Sequence, residues 1–276
     1  MSKQGLVEAW QIWQYAKGLS KRTVDDRAAI VLRMADGVGS APESVDTADL
    51  IAWLAAGGWS PNTRWTYYTA LNSWFVWLQR LEHRHDNPMI KIDSPRRRKG
   101  EPHPISDADL RRLLRTRMHR RTRAMITLAA FQGLRVHEIA KIKADHFNLA
   151  EQSMTVVGKG AVKAVLPLHR RVATLVYEMP AKGFWVPGSD QGHQRRESIS
   201  STIKEVMLRA GVPGSAHSLR HWFGTALVEA GVDLRTVQVL LRHQNLATTE
   251  IYTRITDERR AKAINSLELD RLAFVS

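Results

Sequence analysis

The run Ser94-Pro95-Arg96-Arg97-Arg98-Lys99-Gly100-Glu101-Pro102-His103-Pro104 constrains the fold of this chain more than any other stretch. It has no apolar periodicity and holds prolines at 95, 102 and 104, so it can neither continue a helix nor pair in a sheet core. The chain must therefore build a core on each side of it. Before it, Leu6, Trp10, Trp13 and Ala16, and later Trp65, Tyr68, Leu71, Phe75 and Leu78, recur at three- and four-residue steps, the period of helices with one buried face. After it, helical patterning is broken from Met154 to Leu168 by a β-branched stretch around Gly158 and Gly160, which predicts a hairpin. A length of 276 residues is enough for two cores without staples. The expected fold is mainly α with a small β-sheet: a helical domain over 1–88, a basic linker over 89–103 and an α+β domain over 104–276.

Capping residues set the helix starts. Ser20 precedes a helix running to about Asp36, Thr47 or Asp46 caps a short one through Leu54, and Ser60-Pro61 is an N-cap and N1 pair for a helix to about Leu81. Ser106 with Asp109 opens the second domain. A helix holding Met125 to Phe131 ends at Gly133, another covers Val136 to Ile142, and helices resume near Val172, from Ser198 to Ala210, His217 to Ala230, Leu234 to Leu241 and Thr248 to Tyr252. The spacing of Trp65, Trp74 and Trp77 predicts packing rather than base stacking.

Charge narrows the function. Lys and Arg number 41 against 27 Asp and Glu, a formal net charge of +14, which calls for a polyanionic partner: DNA, RNA or an anionic membrane surface. No apolar run approaches the roughly 18 residues that span a bilayer, and Met1 to Gly5 lacks the apolar core of a signal peptide. A cytoplasmic protein, in the bacterial cytoplasm or nucleoid, is expected. With no cysteine, covalent chemistry has to use another side chain.

The remaining motifs suit a phosphodiester. Arginine stays charged and presents paired donors that match phosphate, and Arg135 and Arg220 are candidates. On a helix, His217 and Arg220 at i and i+3 share a face. His217 and His221 at i and i+4 could also hold a metal, but no Glu follows His217 and no third ligand is evident, so no metal site is expected. Tyr252, nine residues beyond His243, is a candidate nucleophile whose phosphotyrosine ester would store bond energy, so rejoining would need neither ATP nor metal.

Five segments, in order, resemble the tyrosine recombinase family, the phage integrases and Xer-type enzymes. They are Ala130-Phe131-Gln132-Gly133-Leu134-Arg135-Val136-His137-Glu138, Val157-Gly158-Lys159-Gly160, His217-Ser218-Leu219-Arg220-His221, Leu240-Leu241-Arg242-His243 and Thr248-Thr249-Glu250-Ile251-Tyr252. The resemblance implies that Arg135 and Arg220 bind the scissile phosphate, Glu138 supports the site, and His243 donates to the phosphate. It implies that Lys159 is the general acid, with Lys163 the alternative, and that His217 contributes proton transfer or orientation. It also implies a SAM-like core-binding domain and an α+β catalytic domain. Lys21, Arg22, Thr63 and Arg64 would contact DNA at helix starts, joined by Arg96, Arg97, Arg98 and Lys99 of the linker. One position departs from the pattern: the family commonly has glycine before the last histidine, and here Arg242 stands there.

The expected protein is a site-specific recombinase, first a compact phage or prophage integrase and second a Xer-like dimer resolvase. Its partners would be paired sites on double-stranded DNA, three further copies in a homotetramer, and an accessory directionality factor or host DNA-bending protein. An apolar tail with Leu267, Leu269, Leu272 and Phe274 would dock on a neighbouring copy. The rivals are a type IB topoisomerase, which reseals the same strand, and a non-catalytic DNA-binding accessory factor. Because many phosphates would be neutralised, duplex affinity should fall about 10³-fold or more between 50 and 200 mM salt, measured by fluorescence anisotropy. A flat salt response would contradict phosphate-led binding.

Overall fold

The computed structural model describes residues 3–96, 104–158 and 162–242. The chain divides into two compact units, residues 1–100 and 101–276.

The first unit is a bundle of α1 (Lys3–Ala16), α2 (Lys21–Val38), α3 (Thr47–Ala56) and α4 (Pro61–Arg80), closed by a 3₁₀ turn at Pro88–Lys91. The side chain of Ser20 accepts the Thr23 N–H, that of Ser60 accepts the Thr63 N–H, and Asp46 rather than Thr47 caps α3 through the Asp49 N–H at 2.9 Å. The apolar faces meet around aromatic rings. Trp10 packs edge-on to Trp74 at 5.2 Å between centroids, and Trp74 stacks on Trp77 at 5.3 Å. The indole N–H of Trp74 donates to the Pro42 carbonyl at 3.2 Å, so this ring is satisfied at both its apolar body and its polar edge. Arg84 donates to the carbonyls of Glu43 and Val45 at 2.8 and 2.7 Å and ties down the loop before α3. Met89 is buried in this core and Ile92 packs on its margin, so the core runs on past residue 88.

The second unit contains α5 (Asp107–Arg115), α6 (Arg120–Phe131), α7 (Val136–Ala140), β1 (Phe147–Asn148), β2 (Ser153–Val157), β3 (Lys163–Pro167), α8 (Arg170–Val176), β4 (Pro187–Asp190), α9 (Arg196–Arg209), α10 (Ala216–Glu229) and α11 (Leu234–Leu241). Helix α6 is the central element. It is buried at every residue from Ala124 to Ala130 and packs against α7, α8, α9 and α10. It starts earlier than its apolar pattern implies because the His119 imidazole accepts the Arg121 N–H and caps a basic first turn.

The predicted hairpin is β2 and β3, in an antiparallel sheet of order β1-β2-β3. Its register sets Met154 opposite Leu166 and Val156 opposite Ala164. Met154, Val156 and Leu166 enter the core while Val165 faces outward, the alternation a two-residue period requires. The exposed strand β4 was not expected; it is held by local bridges to His193 and stays outside the sheet. Gln132 joins α6 to the sheet, donating to the Pro167 carbonyl and accepting the His169 N–H. The structure bears out a mainly α fold with a small sheet. The predicted helix at Thr248 to Tyr252 and the apolar tail lie outside the described residues.

Trp74→Ala should lower the stability of the first unit by about 3–5 kcal/mol, the usual cost of emptying an aromatic core site. Denaturant unfolding followed by circular dichroism measures it, and a loss below about 1 kcal/mol would show that α1 and α4 do not depend on this ring.

Candidate active site

The site begins where α6 stops. Gly133 has φ +60°, and a Cβ built on it would lie 2.6 Å from the Phe223 ring, so both backbone conformation and space require glycine here. The reversal leaves Arg135 as N-cap of α7, and its N–H donates to the Glu138 carboxylate at 2.7 Å. Glu138 is thus folded back under the turn, only 1% exposed.

Among the described residues, three guanidinium groups face that carboxylate. Arg135 Nη1 lies 3.2 Å from Oε1. Arg242 approaches both oxygens, Nε at 3.3 Å from Oε1 and Nη2 at 2.9 Å from Oε2. Arg220 Nη1 is 3.9 Å from Oε2. Burial by itself would push the Glu138 carboxyl up; the charge and hydrogen bonds of Arg242, the Arg135 N–H and the charge of Arg220 outweigh it and hold the pKa below the ordinary range.

Backbone carbonyls fix the same arginines. Arg220 is buried, donating through Nη1 to the Gly133 carbonyl and through Nη2 to the Leu241 carbonyl. Arg242 donates to Gly133 O at 3.1 Å and Leu240 O at 2.8 Å, and the Arg135 Nη2 reaches the Arg242 carbonyl at 3.4 Å. These contacts bind the α6–α7 turn, the first turns of α10 and the end of α11. Arg242 caps α11 in the left-handed region, φ 54° and ψ 45°, a conformation that costs an L-residue roughly 1–2 kcal/mol.

His217 stands in the first turn of α10, its N–H on the Ser215 hydroxyl at 3.2 Å. Its ring meets that of His221 edge-on, 4.4 Å between centroids. Burial lowers its pKa, and the charges of Arg220 and Arg135 lower it further, so the ring is neutral at physiological pH. A neutral imidazole beside surplus positive charge can accept a proton while the cations hold an anion. The side chain of Arg135 is 33% exposed, against 13% for Arg242 and 2% for Arg220, making it the most accessible cation of the three. Among the described residues, no group of three His, Asp or Glu side chains could hold a metal ion.

The structure therefore brings Arg135, Glu138, His217 and Arg220 together from separate motifs. Lys159, His243 and Tyr252 lie outside the described residues; the Gly158 N–H donates to Val162 O at 2.8 Å, and α11 ends at Leu241, two residues before His243. Lys21 and Arg22 are exposed at the start of α2 in ion pairs with Asp25 and Asp26. Thr63 and Arg64 open α4, and Arg96 is exposed. Arg97, Arg98 and Lys99 lie outside the described residues. Arg242 is the residue that motif reading passed over as a site residue. Its signal was present, a long cation where the family commonly has glycine, but its target is far away in the chain.

The phage integrase family matches residues 105–259. A curated relative, tyrosine recombinase XerD of Pseudomonas putida, is 31% identical over 229 residues, covering 76% of this chain and 77% of its own length. Among solved structures, the integrase of mycobacterium phage Brujita is 61% identical with a TM-score of 0.53, over 95% of this chain and 92% of that one. A lambda integrase tetramer bound to a Holliday junction shares the fold, with a TM-score of 0.76 at 15% identity, over 92% of this chain and 79% of that one.

His217 should titrate below the ordinary histidine value of about 6.5. Any stability that rests on its neutral form is then present above that value and lost as pH falls through the depressed one. Following the imidazole by NMR, with His217→Gln to assign the signal, measures this; a midpoint at or above the ordinary value would place the ring away from Arg220 and Arg135.

Proposed function

The chain belongs to the phage integrase family of tyrosine recombinases, and on that premise we propose that it is a compact phage-type integrase. The observation that carries the finer reading is the 61% identity to the Brujita phage integrase along nearly the whole of both chains.

In this reading the phenol oxygen of Tyr252 attacks the scissile phosphorus while the bond to the 5′ oxygen breaks, leaving a 3′-phosphotyrosyl link. His217 takes the phenolic proton or orients the phosphate, and Lys159 protonates the departing 5′ oxygen. Arg135, Arg220 and His243 donate to the nonbridging oxygens, where charge builds in the transition state. Glu138 holds the arginines in place. The ester preserves the energy of the bond, so a 5′ hydroxyl from the partner strand can reverse the step on a new end. Lys21, Arg22, Thr63, Arg64 and the run Arg96 to Lys99 supply contacts to the DNA backbone.

Four copies acting on two sites through a four-way junction fit the tetramer that the lambda enzyme forms on a Holliday junction. A Xer-like role in resolving dimers is the second reading, supported by the XerD relatives. Recombination between two unlike sites favours integration, and recombination between identical sites within one molecule favours resolution. Accessory proteins that set direction belong to either role.

Wild type and Tyr252→Phe, incubated with supercoiled plasmid in EDTA and quenched with denaturant, should differ completely: relaxation and protein attached to DNA 3′ ends with the phenol, neither without it. Should both proteins bind DNA yet make no adduct on plasmid or on genomic fragments, the non-catalytic DNA-binding reading replaces this one.

A further inference from the structure

Arg242 sits where glycine would be unstrained, at the left-handed cap of α11. An arginine held there against backbone preference needs compensation, and its contacts show where the compensation comes from. Its Nε and Nη2 make a side-on fork over both oxygens of Glu138, its Nη2 also reaches Gly133 O, and its Nη1 reaches Leu240 O.

We propose that Arg242 is a positioning residue for strand transfer: it occupies the Glu138 carboxylate and pins the Gly133 turn to the end of α11, so that Arg135 and Arg220 keep donors for the scissile phosphate. This rests on the recombinase reading given above. Without Arg242, the nearest cations to Glu138 among the described residues are Arg135 at 3.2 Å and Arg220 at 3.9 Å. Both would be drawn onto the carboxylate, and these are the two arginines that the reaction needs elsewhere. With Arg242 in place, three guanidinium groups among the described residues face the one Glu138 carboxylate, an excess of positive charge. A phosphodiester carries one negative charge, and the five-coordinate arrangement formed by phenol oxygen attack carries a second. The surplus therefore matches the transition state better than the ground state, which is what a rate-enhancing arrangement requires.

The geometry also ties down the end of α11. The carbonyls of Leu240 and Leu241, which have no partner within the end of a helix, accept from Arg242 and Arg220 respectively. The two arginines thus share the end of α11 as well as the Gly133 carbonyl. A single guanidinium here links the carboxylate, the turn and the helix end. A cap that served stability alone would need only the last of these.

The test uses the full-length protein with Arg242→Gly, Arg242→Lys, Glu138→Gln and the Arg242→Gly/Glu138→Gln double variant. Supercoiled plasmid under single-turnover conditions reports adduct formation, and a labelled random-sequence duplex reports affinity. Arg242→Gly should slow adduct formation about 10–100-fold while duplex affinity stays within about threefold. Arg242→Lys, which keeps the charge without the fork, should recover part of the rate. In the Glu138→Gln background, the glycine substitution should cost less than about threefold, because the charge that Arg242 answers is gone.

The pH profile gives a readout that loss of a cap would not move. Glu138 faces Arg135 from its own turn, His137 from α7, Arg220 from α10 and Arg242 from the end of α11. Its carboxylate is depressed, so what it contributes is present above the ordinary carboxylate range and lost as pH falls through the depressed value. Removing Arg242 should carry the acid limb of the adduct rate to higher pH. Arg242→Gly at the wild-type rate overturns the inference. So does a slower variant whose acid limb is unmoved and whose defect persists undiminished in the Glu138→Gln background. A wild-type protein that forms no Tyr252-dependent adduct overturns the recombinase reading and this inference with it.

Discussion

A buried carboxylate among guanidinium groups organises the second unit. Glu138 is 1% exposed, and an isolated charge in such a place is strongly unfavourable, so the fold must bring cations to it. They come from the N-cap of α7, from the interior of α10 and from the end of α11. Breaking one member of such a cluster typically costs about 3–5 kcal/mol, because the charge left behind stays buried. The turn after α6, the packing of α10 on α6 and the termination of α11 are all coupled to this interaction.

In the proposed reading, the same cluster lets a scaffold and a reaction centre share residues. Carbonyls at Gly133 and Leu241 hold the Arg220 guanidinium, which leaves little freedom for it to reorganise when an anion arrives. Preorganised donors of this kind stabilise developing charge without a further cost of alignment. The surplus positive charge also makes the cluster less favourable alone than with a phosphate in it. Binding a phosphodiester should then stabilise this unit through mass action.

The first unit solves a different problem. Its core is built from large rings, Trp10, Trp74, Trp77 and Phe75, which bury much area for few residues. That leaves the starts of α2 and α4 polar, capped by Ser20 and Ser60. The ion pairs of Lys21 and Arg22 lie within one exposed helix turn, and such pairs contribute little stability. Both cations can exchange their carboxylate partners for phosphate at small cost.

Helix starts, the hairpin and the separation into two patterns were legible because they follow rules that act over two to four residues. Ser20, Asp46, Ser60 and Ser106 each cap the helix that follows through a bond three residues long. The motif residues Arg135, Glu138, His217 and Arg220 could be named from resemblance, and the convergence of these four is a property of the folded chain. Arg242 was visible in the sequence only as a departure from glycine. Its meaning lies in Glu138, 104 residues away, and in Gly133, 109 residues away. Local preference alone argues against an arginine in the left-handed region. What sequence determined by itself was most of the elements and the chemistry available. What tertiary structure decided was which charges meet, because a buried carboxylate attracts whatever cations packing can deliver, however distant they are along the chain.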